Sequence, residues 1–333
     1  MKDLLIVFNI FGNWDNREEQ IEDYSKTLDS VFWNLKNIDS KNTRVVVSSV
    51  LVDDYVLHSL KERYKGEITI FRYNERYTVQ VSFNKTVLNC IELFKEKYKG
   101  YFYISAGIVL PLIQDLFPRI IEKLNSNNYG IIHLQVDKDP GYENFPDYLN
   151  KSQDYNIPIG KSCNFHIGVI DERILDFYEV PMTDIHGFCS SESGLSYISY
   201  ALLRNYIVLG NSECFHYESD RDPLEILEPN INGVIGYTKP ISGFYTQGAH
   251  LLWGRKIEDF LGDEEGIKVG LGYYPGIDGF VDWNGVILKH DASKYHSRDY
   301  YALDYRLKFH ILKHYFTSKK ELDYNNIKYE IYG

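Results

Sequence analysis

At 333 residues, with 44% apolar and 25% charged side chains, the chain has the composition of a soluble globular protein. It is long enough for one large domain with an appendage, or for two domains. A net charge of −11 weighs against broad electrostatic capture of nucleic acid or anionic membrane, and no run of about 18 apolar residues offers a spanning helix.

The opening MKDLLIVFNIFGNWDN turns polar too soon for a secretory signal and reads as a first core strand, Leu4–Asn9. Ile21, Tyr24, Leu28, Val31, Phe32 and Leu35 recur at helical spacing. Arg44–Val52 is β-branched and apolar, which predicts a second strand. The helix over 53–64 has Asp53 or Asp54 at its start. Glu67–Arg72 alternates as a third strand. Phe83, Val87, Ile91 and Phe94 predict a helix with Ser82 as N-cap, and this helix leads into the apolar run Tyr101–Leu110, YFYISAGIVL. Such β-α-β-α-β-α-β alternation predicts a mainly parallel sheet with helices on its faces. Ligands of these sheets sit outside the carboxyl ends of the strands, here Asn9–Gly12, Ser48–Asp54, Arg72–Arg76 and Ser105–Gly107.

A helix through Leu116, Ile120 and Leu124 follows, then strands over Gly130–Val136 and Asn164–Ile170. The polar, Pro-containing loop between these two strands has a functional length. Ser190–Arg204 reads as a helix capped by Ser190 or Ser191, and Tyr206–Leu209 as a short strand running out towards Cys214 and His216. Beyond about residue 225 the pattern changes. Gly248–Gly285 is glycine-rich, Phe280–Leu288 predicts a hairpin turning at Asn284-Gly285, and Tyr300–Phe316 forms an amphipathic helix suited to core packing or a homodimer contact. The predicted division is residues 1–222 as the binding domain and 223–333 as an α+β extension.

Four cysteines without a CxxC pair fit reduced thiols and a cytoplasmic location. Cys163 with His166, His186 with Cys189, and Cys214 with His216 sit at ligand-like spacings. They match no standard zinc module, so core cysteines are the expectation. The 29 tyrosines accompany abundant Asn, Lys and Ile, and most are assigned to coding bias rather than to stacking platforms.

The order of these pieces over residues 1–220 resembles a GT-A glycosyltransferase related to the large inverting nucleotide-sugar family. The resemblance rests on the strand ending at Asn9, the helix through Tyr24–Ser30, the Ser/Asp cluster after the second strand, and Phe83-Asn84-Lys85-Thr86. It implies a GT-A-like α/β fold, a nucleotide-sugar donor and a hydroxyl-bearing acceptor. Donor contacts are implied at Asn9, Ser48, Ser49, Asp53, Asp54, Arg72, Arg76, Lys85, Ser105 and Gly107. Glu192 falls where the family has its general base, and His216 where it has a late metal- or diphosphate-binding His.

YFYISAGIVL falls where the family carries its DxD motif, whose carboxylates hold a divalent cation against the departing diphosphate. Ser105 and Gly107 stand in those two places, so the motif is degenerate. Arg72, Arg76 and Lys85 could replace the metal, or Mn²⁺ or Mg²⁺ could be held by His216 with Asp137 or Asp139; metal independence is the favoured expectation. Two alternatives stay open. A sugar nucleotidyltransferase would want more glycines after the first strand than IFGNWDNREE supplies. A catalytically degenerate GT-A domain would bind a glycan or a partner.

Overall fold

The computed structural model describes residues 1–12, 16–75, 77, 79–136, 151–157, 166–175, 180–182, 204–216, 279–281, 287–289 and 324–332. Strands β1 (Lys2–Phe11), β2 (Thr43–Val50), β3 (Ile68–Tyr73) and β4 (Tyr98–Ser105) alternate with helices α1 (Arg17–Leu35), α2 (Asp54–Arg63) and α3 (Val79–Phe94). Then come β5 (Ile108–Val109), α4 (Leu116–Asn125), β6 (Tyr129–Val136), β7 (Tyr155–Asn156), β8 (Ile167–Asp171) and β9 (Asn205–His216). The pairs β10 (Gly279–Val281) with β11 (Ile287–Lys289) and β12 (Glu330–Ile331) with β3 complete the described strands.

One sheet runs in the order β12-β3-β2-β1-β4-β8-β6-β9-β5, with β7 on β9. β1, β2, β3 and β4 are mutually parallel, β8 is antiparallel to both β4 and β6, and β6 is parallel to β9. The carboxyl ends of β1, β2, β3, β4, β6 and β9 therefore lie on one side. This is the mainly parallel α/β architecture, flanked by helices, that the alternation predicts.

The central strands read as continuous apolar runs because both faces are covered. On one face Leu4, Ile6, Phe8, Val45, Val47 and Ile104 join Tyr24, Leu28, Val31, Leu57, Leu60 and Ile120 from α1, α2 and α4 in a single core. On the other face α3 packs its Phe83 edge-on against Tyr103, with ring centroids 5.2 Å apart. Thr86 exchanges a 2.7 Å hydrogen bond with the Tyr73 hydroxyl on the same side.

Several boundaries differ from expectation. Helix α3 begins at Val79, so Ser82 lies inside it rather than capping it. The run YFYISAGIVL is not one strand: β4 stops at Ser105, Gly107 turns at φ 85°, and β5 starts at Ile108. Only glycine takes that backbone without strain. β1 continues past Asn9 to Phe11, and the strand expected at 164–170 runs over 167–171. β9 is 12 residues long because a bulge, with Asn211 at φ 50°, bends it instead of ending it. The predicted helix over 190–204 lies outside the described residues except for Arg204, and that over 300–316 lies wholly outside them. The strands expected on either side of Asn284-Gly285 pair antiparallel as β10–β11, and the turn itself lies outside the described residues.

Residues 324–332, assigned from sequence to the extension, add the edge strand β12 to the main sheet. Tyr324 and Ile327 are buried. The Asn84 amide donates to the Tyr324 hydroxyl at 2.8 Å and to the Met182 carbonyl at 2.7 Å, and accepts from Met182 N–H at 2.9 Å.

At the opposite end of the sheet, Glu96 receives Arg44 Nε at 3.0 Å, Lys2 at 3.0 Å and the Tyr98 hydroxyl at 2.7 Å. Burial opposes the carboxylate, but these donors together outweigh it and hold the Glu96 pKa at about 2 against an ordinary 4.5. A depressed carboxyl contributes stability that is complete above pH 4.5 and fades as pH falls towards 2. Glu96→Gln is expected to cost about 2 kcal/mol at pH 7. Urea unfolding at several pH values should show wild type and variant converging below pH 4.5.

Candidate active site at the strand carboxyl ends

Register decides which of the candidate residues share a face. Asn9 on β1 lies opposite Ser48 on β2 and Ser105 on β4, giving a polar row across three adjacent parallel strands. Ser48 in turn pairs with Phe71 on β3. Side chains alternate along a strand, so this row shares the α3 face with Tyr73 and Tyr103.

Asn9 and Ser48 are wholly buried, and among the described residues neither end of the Asn9 amide nor the Ser48 and Ser105 hydroxyls has a hydrogen-bond partner. An orphaned buried amide or hydroxyl costs about 1–3 kcal/mol, so three in one row at strand ends are unusual in a structural core. The row offers both donors and acceptors but no charge. It suits a neutral polar edge, such as an amide-bearing base or a sugar hydroxyl.

Ser49 and Arg72 occupy the next row, paired with each other on the opposite, α2 face. Arg72 Nη1 is 2.7 Å from Asp54 and 3.2 Å from Glu330 of the 324–332 segment. Asp53 caps α2 through the Tyr55 N–H at 2.9 Å and pairs with Arg17 at 2.9 Å. Lys85 is a buried residue of α3, its ammonium 5.5 Å from the Tyr329 ring. The candidate donor contacts thus divide: Asn9, Ser48 and Ser105 converge, whereas Ser49, Arg72, Asp53 and Asp54 stand on or beyond the other face. Arg76, Glu192, Asp137 and Asp139 lie outside the described residues.

The strand ends are held by close backbone contacts. Gly12 N–H donates to the Val50 carbonyl at 2.8 Å, and Leu51 N–H to the Tyr73 carbonyl at 3.0 Å. Leu51 takes a φ of 56° and is exposed. Left-handed backbone on a leucine is a strained state of the kind found at binding sites. Tyr24 donates to the Phe11 carbonyl at 2.8 Å, and burial pushes its phenol up.

β5 pairs antiparallel with β9, placing the His216 backbone opposite Ile108, just past the Ser105–Gly107 turn. The bulge makes this possible: Ser212 donates to the Leu209 carbonyl at 2.6 Å and accepts from Gln135 N–H at 3.0 Å, steering the end of β9 towards β5. Ser105 N–H donates to the His166 carbonyl at 2.9 Å. Cys214 is buried in the core, as is Cys90, whereas Cys163, His186 and Cys189 lie outside the described residues.

The chemistry at the expected metal position is neutral. Ser105 offers one hydroxyl and Gly107 no side chain. Among the described residues no group of three or more His, Cys, Asp or Glu comes together. These described residues do not fit a divalent cation, which wants carboxylate oxygens.

No known family profile matches the chain, and no curated protein matches it. Among solved structures it is similar to S. aureus TarS 1–349 in complex with UDP-GlcNAc, with TM-score 0.45 and 10% identity over 65% of this chain and 59% of that one. It is similar to the mannosyltransferase PcManGT from Pyrobaculum calidifontis in complex with GDP-Man and Mn²⁺, with TM-score 0.45 and 11% identity over 64% and 56%. GalNAc-T7 with UDP, GalNAc and Mn²⁺ gives 0.46 and 12% over 65% and 44%. The chain spans less than two thirds of each of these structures, and at this level of likeness none of their chemistry is carried across. Among the described residues no helix is long and apolar enough to cross a membrane.

Proposed function

We propose that the chain is a glycosyltransferase that binds a nucleotide-sugar donor at the carboxyl ends of β1, β2 and β4. The observation that carries this reading is the row of buried, unpartnered polar groups on Asn9, Ser48 and Ser105. The sheet class and its ligand side point the same way. In this reading the row holds uncharged parts of the donor, and no divalent cation is needed for donor binding.

Transfer is a single, inverting displacement. An acceptor hydroxyl oxygen attacks the anomeric carbon, the bond to the diphosphate oxygen breaks, and the hydroxyl proton passes to a carboxylate base. Glu192 is proposed as that base on the family resemblance alone. The donor's nucleotide and sugar, a glycan or other hydroxyl acceptor, and a cytoplasmic setting complete the proposal.

A second reading, a non-catalytic domain that binds a glycan or partner, is favoured by one observation. On the family resemblance, Ser105 and Gly107 stand where carboxylates would carry the diphosphate charge.

A thermal-shift screen with UDP, GDP, CMP and their sugars, each with and without Mn²⁺, separates these readings. A ligand that binds only the folded state raises the melting temperature, by about 2.7 kcal/mol of stabilisation at a hundredfold excess over Kd. The expected result is a shift with one nucleotide class that does not depend on Mn²⁺. A shift that needs Mn²⁺ would overturn the metal independence but keep the donor, and silence with all of them would sink the donor reading.

A further inference from the structure

A second set of orphaned buried polar atoms lies on the other face of the sheet, at the edge closed by residues 324–332. Ser49 is wholly buried, and among the described residues its hydroxyl has no partner; neither does Arg72 Nε, its ladder neighbour on β3. Both carboxylates that reach Arg72, from Asp54 and Glu330, approach the same nitrogen, Nη1. The Nε side of the guanidinium, half of the fork that grips oxyanions best, is therefore left without an acceptor. Ser49 Oγ and Arg72 Nε are thus two donors of one row on adjacent strands, each without an acceptor among the described residues.

The 324–332 segment covers this position but holds it lightly beyond its buried Tyr324 and Ile327. Only Glu330 and Ile331 pair with β3, opposite Arg72 and Phe71. Ile331 and Tyr329 are exposed, and the Glu330 side chain is 49% exposed. Glu330 also accepts from the Asn74 amide at 3.4 Å, Tyr332 N–H donates to the Ile70 carbonyl at 3.0 Å, and the Tyr332 ring lies 5.7 Å from the guanidinium. The Tyr332 hydroxyl donates to the Asp54 carbonyl at 3.1 Å in an exposed contact. Part-exposed ion pairs and two-residue ladders of this kind contribute little each.

We propose that Ser49 and Arg72 form an oxyanion site for a phosphoryl or carboxylate group, and that Glu330, on the strap at 328–332, blocks it in the closed state. With Asp54 and Glu330 both beside one arginine, the local charge is negative and repels an incoming anion. Lifting the strap removes one of the two carboxylates and opens the Nε side. This site is separate from the Asn9 row, on the opposite face, and does not depend on the transferase reading.

The test uses the full chain and inorganic phosphate as the probe. Glu330→Gln keeps the shape of the strap but removes its charge, and Glu330→Gln with Tyr332→Ala loosens it further. Phosphate binding is read by calorimetric titration at fixed ionic strength, with sulfate as a second oxyanion. The expected result is phosphate affinity about tenfold higher in Glu330→Gln than in wild type, higher again in the double variant, and lost when Arg72→Gln is added. Chloride substituted for phosphate at the same ionic strength should give no such gain. Equal phosphate affinity in wild type and both strap variants overturns the proposal, as does a gain that survives Arg72→Gln. A strap variant that melts earlier but still folds at 25 °C remains a valid reading, because the titration is made below its transition.

Discussion

Gly12→Ala is expected to destabilise the protein by about 3 kcal/mol or more. A Cβ at Gly12 would lie 1.8 Å from the Leu51 carbonyl oxygen, 2.4 Å from its carbon and 2.6 Å from the Val52 Cα. All three are backbone atoms, so no side chain can swing aside. The Gly12 N–H to Val50 carbonyl bond extends the β1–β2 ladder at this point, and Leu51 already carries a φ of 56°. Relief would have to separate the ends of β1 and β2, the two strands that present Asn9 and Ser48. Chemical denaturation of Gly12→Ala should show a large fall in midpoint. A change below about 1 kcal/mol would mean that the two strand ends are not pressed together as described.

Asn9→Leu is expected to do the reverse, raising stability by about 1–2 kcal/mol. The Asn9 side chain sits wholly buried between apolar neighbours of β1, with neither amide end bonded among the described residues, so it carries its desolvation cost without compensation. Leucine has a similar shape and no polar atoms to desolvate. A residue that weakens the fold at a strand end is the pattern expected where binding, and not packing, sets the choice. Urea midpoints for the two proteins decide it. A variant less stable than wild type would show that Asn9 contributes to the fold and that its row is structural.

Much of the fold was legible in the sequence because buried parallel strands leave continuous apolar runs, as in LLIVF and RVVV, and amphipathic helices separate them. The candidate row was legible in part for the same reason. Asn9, Ser48 and Ser105 interrupt those runs at their carboxyl ends. What periodicity could not supply was the register that places Ser49 and Arg72 on the opposite face from Ser48, since a one-residue step reverses every side chain. The split of YFYISAGIVL was signalled by Gly107 and the bend in β9 by Gly210-Asn211, but neither signal says where the chain goes next. Nothing local in Tyr324–Tyr332 announces an edge strand. Its pairing to β3 joins residues more than 250 positions apart, and only the folded sheet brings Glu330 to Arg72.

The central claim is that the Asn9, Ser48 and Ser105 row holds the donor without a cation. It is tested most directly by titrating wild type and Asn9→Leu with the nucleotide that the thermal screen identifies, in buffer containing a chelator. The row predicts binding by the wild type under these conditions, and a loss of about a hundredfold or more in the variant although its fold is at least as stable. Equal binding by the two proteins, or binding by the wild type only after a divalent cation is restored, would contradict it.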